Sequence, residues 1–130
     1  MLIHDKPNLL TDLKSILEGC VNKNEGLTFL MLATRDGLPM LTTETVTTLP
    51  EETLAVINAT SVYHGQMILN ELKCGNIKEL YVKGDKGLLI MFPVGSEASL
   101  LGMCENEGNL RLILLEMKRT AKSLLERLAK

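Results

Sequence analysis

The feature that most constrains this chain is a helical stretch with no charge on it. From Thr53 to Asn70 there is no Asp, Glu, Lys or Arg. The flanks nevertheless read as helix punctuation. Upstream, "TTLPEE" offers Thr48 as a cap, Pro50 for the first turn, and Glu51 and Glu52 to complement the dipole. Downstream, Cys74-Gly75-Asn76 stops the helix just after Lys73. On a wheel of about 100° per residue, Leu54, Val62, Gly65, Ile68, Leu69 and Leu72 gather on one side, which is assigned to a sheet. Val56, Ala59, Tyr63 and Met67 project on the opposite side, and Thr60, His64 and Glu71 form the one coherent polar strip. An ordinary surface helix has one dry face. This one has two.

Two readings account for the second dry face. The helix is buried within its own monomer, or is a Thr- and Ala-rich helix with a tolerable surface; or a second chain covers it. An exposed apolar face of this extent is one that monomers rarely keep. Covering a few hundred Å² at about 25 cal/mol per Å² yields several kcal/mol before the costs of association. A chain of 130 residues has few spare elements to cover a second face, which favours a partner.

The remaining elements are conventional. Pro7 opens a first helix in which Leu9, Leu10, Leu13, Ile16, Leu17 and Cys20 share one side, ending near Asn22. Phe29 to Ala33 is apolar throughout, as in a strand covered on both faces. Arg35-Asp36-Gly37 supplies hairpin chemistry before a second strand, Leu38 to Val46, which Pro39 demotes to an edge. After the middle helix, "NIKELYVK", "LLIMFPV" and "ASLLGMC" are three strands joined by the turns "GDKG" and "GSE". Leu88 to Phe92 reads as central, whereas Lys78, Glu79, Tyr81 and Lys83 mark the preceding strand as an edge. Asn109 can cap a last helix with the stripe Leu110, Ile113, Leu114, Met117, Ala121, Leu124, Leu125 and Leu128. The order helix, two strands, helix, three strands, helix, with hairpins throughout, predicts an α+β fold with an antiparallel sheet and helices on both faces.

The edge strand offers a second route to association. Two copies paired antiparallel about Tyr81 would set Glu79 opposite Lys83 of the other copy, a pair worth about 0.2–1 kcal/mol. Equally, Lys78 and Lys83 can act as gatekeepers that block edge pairing.

Composition excludes several functions. A net charge of −2, a pI of 5.7 and 3% aromatics argue against nucleic acid, which calls for a basic face and stacking platforms. The polar start "MLIHDKPN" is unlike a signal peptide, and the longest uncharged run is too polar for a membrane span. Cys20, Cys74 and Cys104, odd in number and widely spaced, fit reduced thiols in a cytoplasmic protein. The "NAT" sequon at Asn58 lies mid-helix and reads as chance. "GDKG" sits between strands and opens no helix, so it is no phosphate loop. His4 and His64 lack local metal-ligand partners, Cys74 sits at a helix stop, Glu51-Glu52 is first-turn charge, and "MCENEGN" has too few oxygens for calcium. Neither a catalytic residue nor a cofactor is expected.

The pattern as a whole resembles the Roadblock (roadblock/dynein light chain) family across nearly the full chain. The resemblance rests on element order, "LATRDGLPM", "ATSVYHG", "ELYVKGDKGLLIMFPVG" and "LRLILLEMKRTAKSLLERL". It implies one domain over 1–130, with a five-stranded antiparallel sheet bearing the middle helix on one face and the terminal helices on the other. It also implies dimers joined through the middle helix and third strand, with an identical or paralogous Roadblock chain. The expected dimer residues are Val56, Ala59, Tyr63, Met67, Glu79, Tyr81 and Lys83, with Thr60, His64 and Glu71 toward a further partner. Roadblock proteins typically regulate or scaffold small Ras-like GTPases, so the resemblance implies a non-enzymatic GTPase regulator. The alternative is a structural adaptor subunit of a larger complex with no GTPase partner.

Overall fold

The computed structural model describes residues 6–44, 47–105 and 109–129. Its elements are α1 (Pro7–Lys23), β1 (Leu27–Thr34), β2 (Pro39–Thr42), α2 (Glu51–Glu71), β3 (Leu80–Lys83), β4 (Leu88–Val94), β5 (Ala98–Cys104) and α3 (Leu110–Leu128). The five strands form one antiparallel sheet in the order β2-β1-β5-β4-β3. The continuously apolar β1 and β4 are interior, and β2 and β3 are the edges, as their residues predict.

Period-2 alternation sorts the strand residues into two cores. Leu30, Leu32, Leu88, Ile90, Phe92, Val94 and Leu100 pack with Leu13, Leu17, Ile113, Met117 and Leu124 of α1 and α3. Phe29, Met31, Ala33, Met91 and Leu101 pack with Leu54, Ala55 and Val62 of α2. Leu27 joins the α1/α3 core although Phe29, two residues on, faces α2. A register shift between them against β5 flips the phase, as a bulge does.

At the β1–β2 turn, Gly37 takes φ 96°, and the Leu38 amide donates to Thr34 Oγ1 at 2.9 Å. The second strand is shorter than the predicted Leu38 to Val46. Its ladder passes to Thr43, whose amide donates to Leu30 O at 2.9 Å and whose Oγ1 accepts from the Leu30 amide at 2.9 Å. A side-chain oxygen thereby takes the place of the next strand carbonyl, and regular pairing ends. Thr45 and Val46 lie outside the described residues, as does His4.

Helix α2 starts at Glu51 with Pro50, not Thr48, in the capping position and no side-chain cap bond. It closes with paired terminal bonds: the Cys74 amide to Leu69 O at 2.9 Å and the Lys73 amide to Asn70 O at 3.2 Å. The left-handed residue of this closure is Lys73, at φ 57°, with Gly75 two places further on. A lysine there carries a Cβ penalty that glycine lacks. Lys73→Gly is expected to stabilise the fold by about 0.5–1 kcal/mol in urea unfolding.

Candidate interaction surface

The inner line of α2 is set by a polar pair as much as by apolar residues. Asn58 is fully buried; its Nδ2 donates to Ser99 O at 2.9 Å, and Ser99 Oγ donates to Asn58 Oδ1 at 2.8 Å. This burial also leaves the Asn58 sequon no room for a glycan. The buried residues of α2 are Leu54, Ala55, Asn58, Ala59 and Val62. Toward the end of the helix, Gly65 leaves space for the 74–79 segment: a Cβ there would stand 2.8 Å from Ile77 Cδ1. Gln66 fastens that segment, accepting from the Ile77 amide at 2.9 Å and donating to Gly75 O at 3.1 Å.

This seating turns the helix relative to the apolar wheel, and corrects three assignments. Ile68 and Leu72, expected against the sheet, are exposed, whereas Ala59, expected on the outer face, is buried within the chain. Asn58 takes the sheet-facing place because Ser99 satisfies its amide, while Ile77 fills the space beneath Gly65.

The outer face is apolar and open. Val56 is 54% exposed, Tyr63 63%, Met67 46%, Ile68 60% and Leu72 69%. Thr60, His64 and Glu71 are exposed among them, with the Tyr63 and His64 rings edge to face at 5.9 Å. The apolar residues divide between two flanks. On one, Val56, Ala59, Thr60 and Tyr63 line a shallow depression of about 220 Å³ with Arg35, Asp36 and Gly37 of the first hairpin. On the other, Ile68 and Leu72 follow Gly65 by three and seven residues, hence on the side of Ile77 and Leu80.

The β3 edge does not present one face. Tyr81 and Lys83 pair with Ile90 and Leu88, which belong to the α1/α3 core, whereas Leu80 and Val82 pair with Met91 and Leu89 on the α2 side. Tyr63 and Met67 therefore lie across the sheet from Tyr81 and Lys83. Of the two β3 residues on their face, Leu80 packs against the α2 core and Val82 is exposed. The period-2 pattern held this signal, since Val82 alternates with Tyr81, but only the register with β4 assigns each face to a layer. Burial, then the hydrogen bond and negative charge of Glu79, push the Tyr81 hydroxyl up to about 12. It remains a neutral donor to Glu79 at any physiological pH.

The chemistry of the cysteines follows burial. Desolvation raises Cys20 and carries Cys104 to about 11, while Cys74 is exposed. Iodoacetamide at pH 8 is expected to modify one thiol, Cys74, in the native protein and three in denaturant, read by intact mass. Among the described residues, no group of three His, Cys, Asp or Glu could hold a metal, and no helix is long and apolar enough to cross a membrane.

The comparisons agree with this architecture. A solved MglB with a tetrameric arrangement superposes with a TM-score of 0.83 at 21% identity, covering 92% of this chain and 89% of that one. The gliding protein MglB of Thermus thermophilus gives 0.82 at 20% identity, covering 92% and 90%. A Roadblock/LC7 domain from Streptomyces avermitilis gives 0.82 at 19% identity, covering 90% and 98%. A sequence comparison with curated proteins finds no match. The Roadblock/LC7 domain matches residues 17–104. The chain, with its three helices and five-stranded antiparallel sheet, belongs to the Roadblock/LC7 domain family.

Proposed function

We propose that the protein is a non-enzymatic dimeric regulator of a small Ras-like GTPase. The observation that carries this reading is the uncovered apolar surface of α2 beside an open β3 edge. Four large exposed apolar side chains on α2, with a fifth, Leu72, at its C-terminal cap, are a standing liability for a monomer. An interface of ordinary size buries about 800 Å² per partner, and a second copy is a partner always at hand.

The dimer seam combines β3–β3 pairing with the flank of α2 that carries Ile68 and Leu72, supported by Val82. Within it, Glu79 and Lys83 meet across the edge and Tyr81 lies at the pairing centre. The other flank and crest, Val56, Thr60, Tyr63, Met67, His64 and Glu71, remain for the GTPase, with the depression beside Arg35 and Asp36 at their margin. This arrangement shifts the seam from Tyr63 and Met67 toward Ile68, because the seating of α2 puts Ile68 on the side of the sheet edge. The family resemblance supplies the GTPase, and the tetrameric arrangement of a solved MglB supports self-association.

The test of the reading is nucleotide turnover by a small GTPase from the same organism, measured with and without added protein. A change in turnover, or co-purification of the GTPase, is expected with the native chain. Unchanged turnover together with no complex would leave the structural adaptor as the better reading.

A further inference from the structure

The sheet face opposite α2 is incompletely covered. On it α3 packs against β4, and beyond β4 the edge strand β3 follows the Lys78–Glu79 segment. Between α3, the end of β4 and the Lys78–Glu79 segment that leads into β3 lies a groove of about 550 Å³, lined by Lys78, Glu79, Phe92, Pro93, Lys118, Ala121, Lys122 and Leu125. Its floor is apolar, from Phe92 and Pro93, and Leu125 is an exposed leucine on its α3 wall.

The charge around that floor is one-sided. Lys118 and Lys122 stand one helical turn apart on α3, and Lys78 lies on the strand side. Among the described residues, none of the three lysines forms an ion pair. The single carboxylate at the rim, Glu79, is hydrogen-bonded by Tyr81. The groove is thus a local excess of positive charge on a chain whose net charge is −2. A long lysine stem can lie along apolar surface while its ammonium group stays wet. Such a setting suits a ligand with apolar residues for the floor and carboxylates for the rim.

We propose that this groove docks an acidic amphipathic segment of a partner protein, on the sheet face opposite the α2 surface. A lipid surface fits less well, because the apolar residues are recessed between helix and strand while the lysines rim them. The two faces together would let one molecule hold two different partners. The inference does not rest on the GTPase reading, since α2 takes no part in it, and it shares only Glu79 with the proposed β3 pairing.

The test is fluorescence polarisation with a fluorescein-labelled peptide of about 15 residues, leucine along one helical face and glutamate elsewhere. Saturable binding by the wild-type protein is expected, weakening by at least about tenfold in Lys118→Glu/Lys122→Glu and falling as salt rises from about 50 to 300 mM. Lys118→Gln/Lys122→Gln, which removes charge without reversing it, should give an intermediate loss, and Leu125→Gln a loss that salt does not alter. All of these side chains are exposed, so melting curves and dimer mass should stay unchanged. The proposal is overturned by absent saturable binding to the wild type, by equal binding in the glutamate variant, or by equal affinity for a peptide with lysine in place of glutamate. It is also overturned if phosphatidylserine vesicles, and not the peptide, bind in a manner that the same substitutions abolish.

Discussion

Asn58→Ala is expected to cost the fold about 2–4 kcal/mol and to lower Tm by roughly 10 °C. The magnitude follows from what the truncation leaves behind. Ser99 is fully buried, and in the variant its hydroxyl loses its acceptor while its carbonyl loses a donor. Each buried polar group stranded in this way costs about 1–3 kcal/mol, against a net of about 1 for an ordinary hydrogen bond. The void left by the amide adds a smaller penalty. Ser99→Ala alone should cost less, because it removes the hydroxyl but keeps the carbonyl that Asn58 Nδ2 reaches. In the double variant the two losses should fall short of their sum by more than about 1 kcal/mol, the signature of a directly coupled pair. Chemical denaturation of the four proteins measures this. Additive losses, or a single-variant loss under about 0.5 kcal/mol, would show that the pair does not fix the helix.

The same pair explains how much of the molecule could be read from its residues. Strand interiors and edges were legible because their signals are local: continuous apolar runs at Phe29–Ala33 and Leu88–Phe92, Pro39 at one edge, and charge about Tyr81 at the other. The hairpin at Gly37 was legible because only a few residues take positive φ easily. The seating of α2 was not. A wheel weighs Asn58 as polar and Ile68 as apolar, and it has no way to know that Ser99, 41 positions later, satisfies that amide. Lys73 in the left-handed position was hidden for a related reason: Gly75 is the obvious stop, yet the closing bonds form two residues earlier. The candidate site inherited both effects. Its outer apolar residues were correctly found at Val56, Tyr63 and Met67, all exposed. Ala59, set outward by the wheel, is buried; Ile68 and Leu72, set inward, are exposed; and Tyr81 and Val82 of β3 face opposite layers.

The seating of α2 also decides which substitutions should separate the two jobs proposed for its surface. Ile68→Glu/Val82→Glu is expected to convert the dimer to a folded monomer, read as half the mass in light scattering. Both side chains are exposed in the single chain, so the monomer should keep its fold. In the dimer, each substitution buries a carboxylate with no cation provided for it, and the two-fold doubles every such burial. With several kcal/mol lost per copy, an affinity of ordinary strength falls by at least about a thousandfold. Val56→Glu/Tyr63→Glu, on the opposite flank beside Arg35 and Asp36, should instead leave the dimer mass intact and abolish the effect on GTPase turnover. The converse result, monomers from the Val56/Tyr63 variant and dimers from the Ile68/Val82 variant, would move the seam across the helix to the hairpin flank. Tyr63→Glu/Met67→Glu tests the crest between them: it should weaken the GTPase more than the dimer, because Met67 lies between the flanks and Tyr63 points toward the hairpin. If all three variants stay dimeric, the association runs through β3 pairing alone. Lys83→Pro, which removes an edge amide and fixes φ within the strand, should then be the substitution that yields monomers.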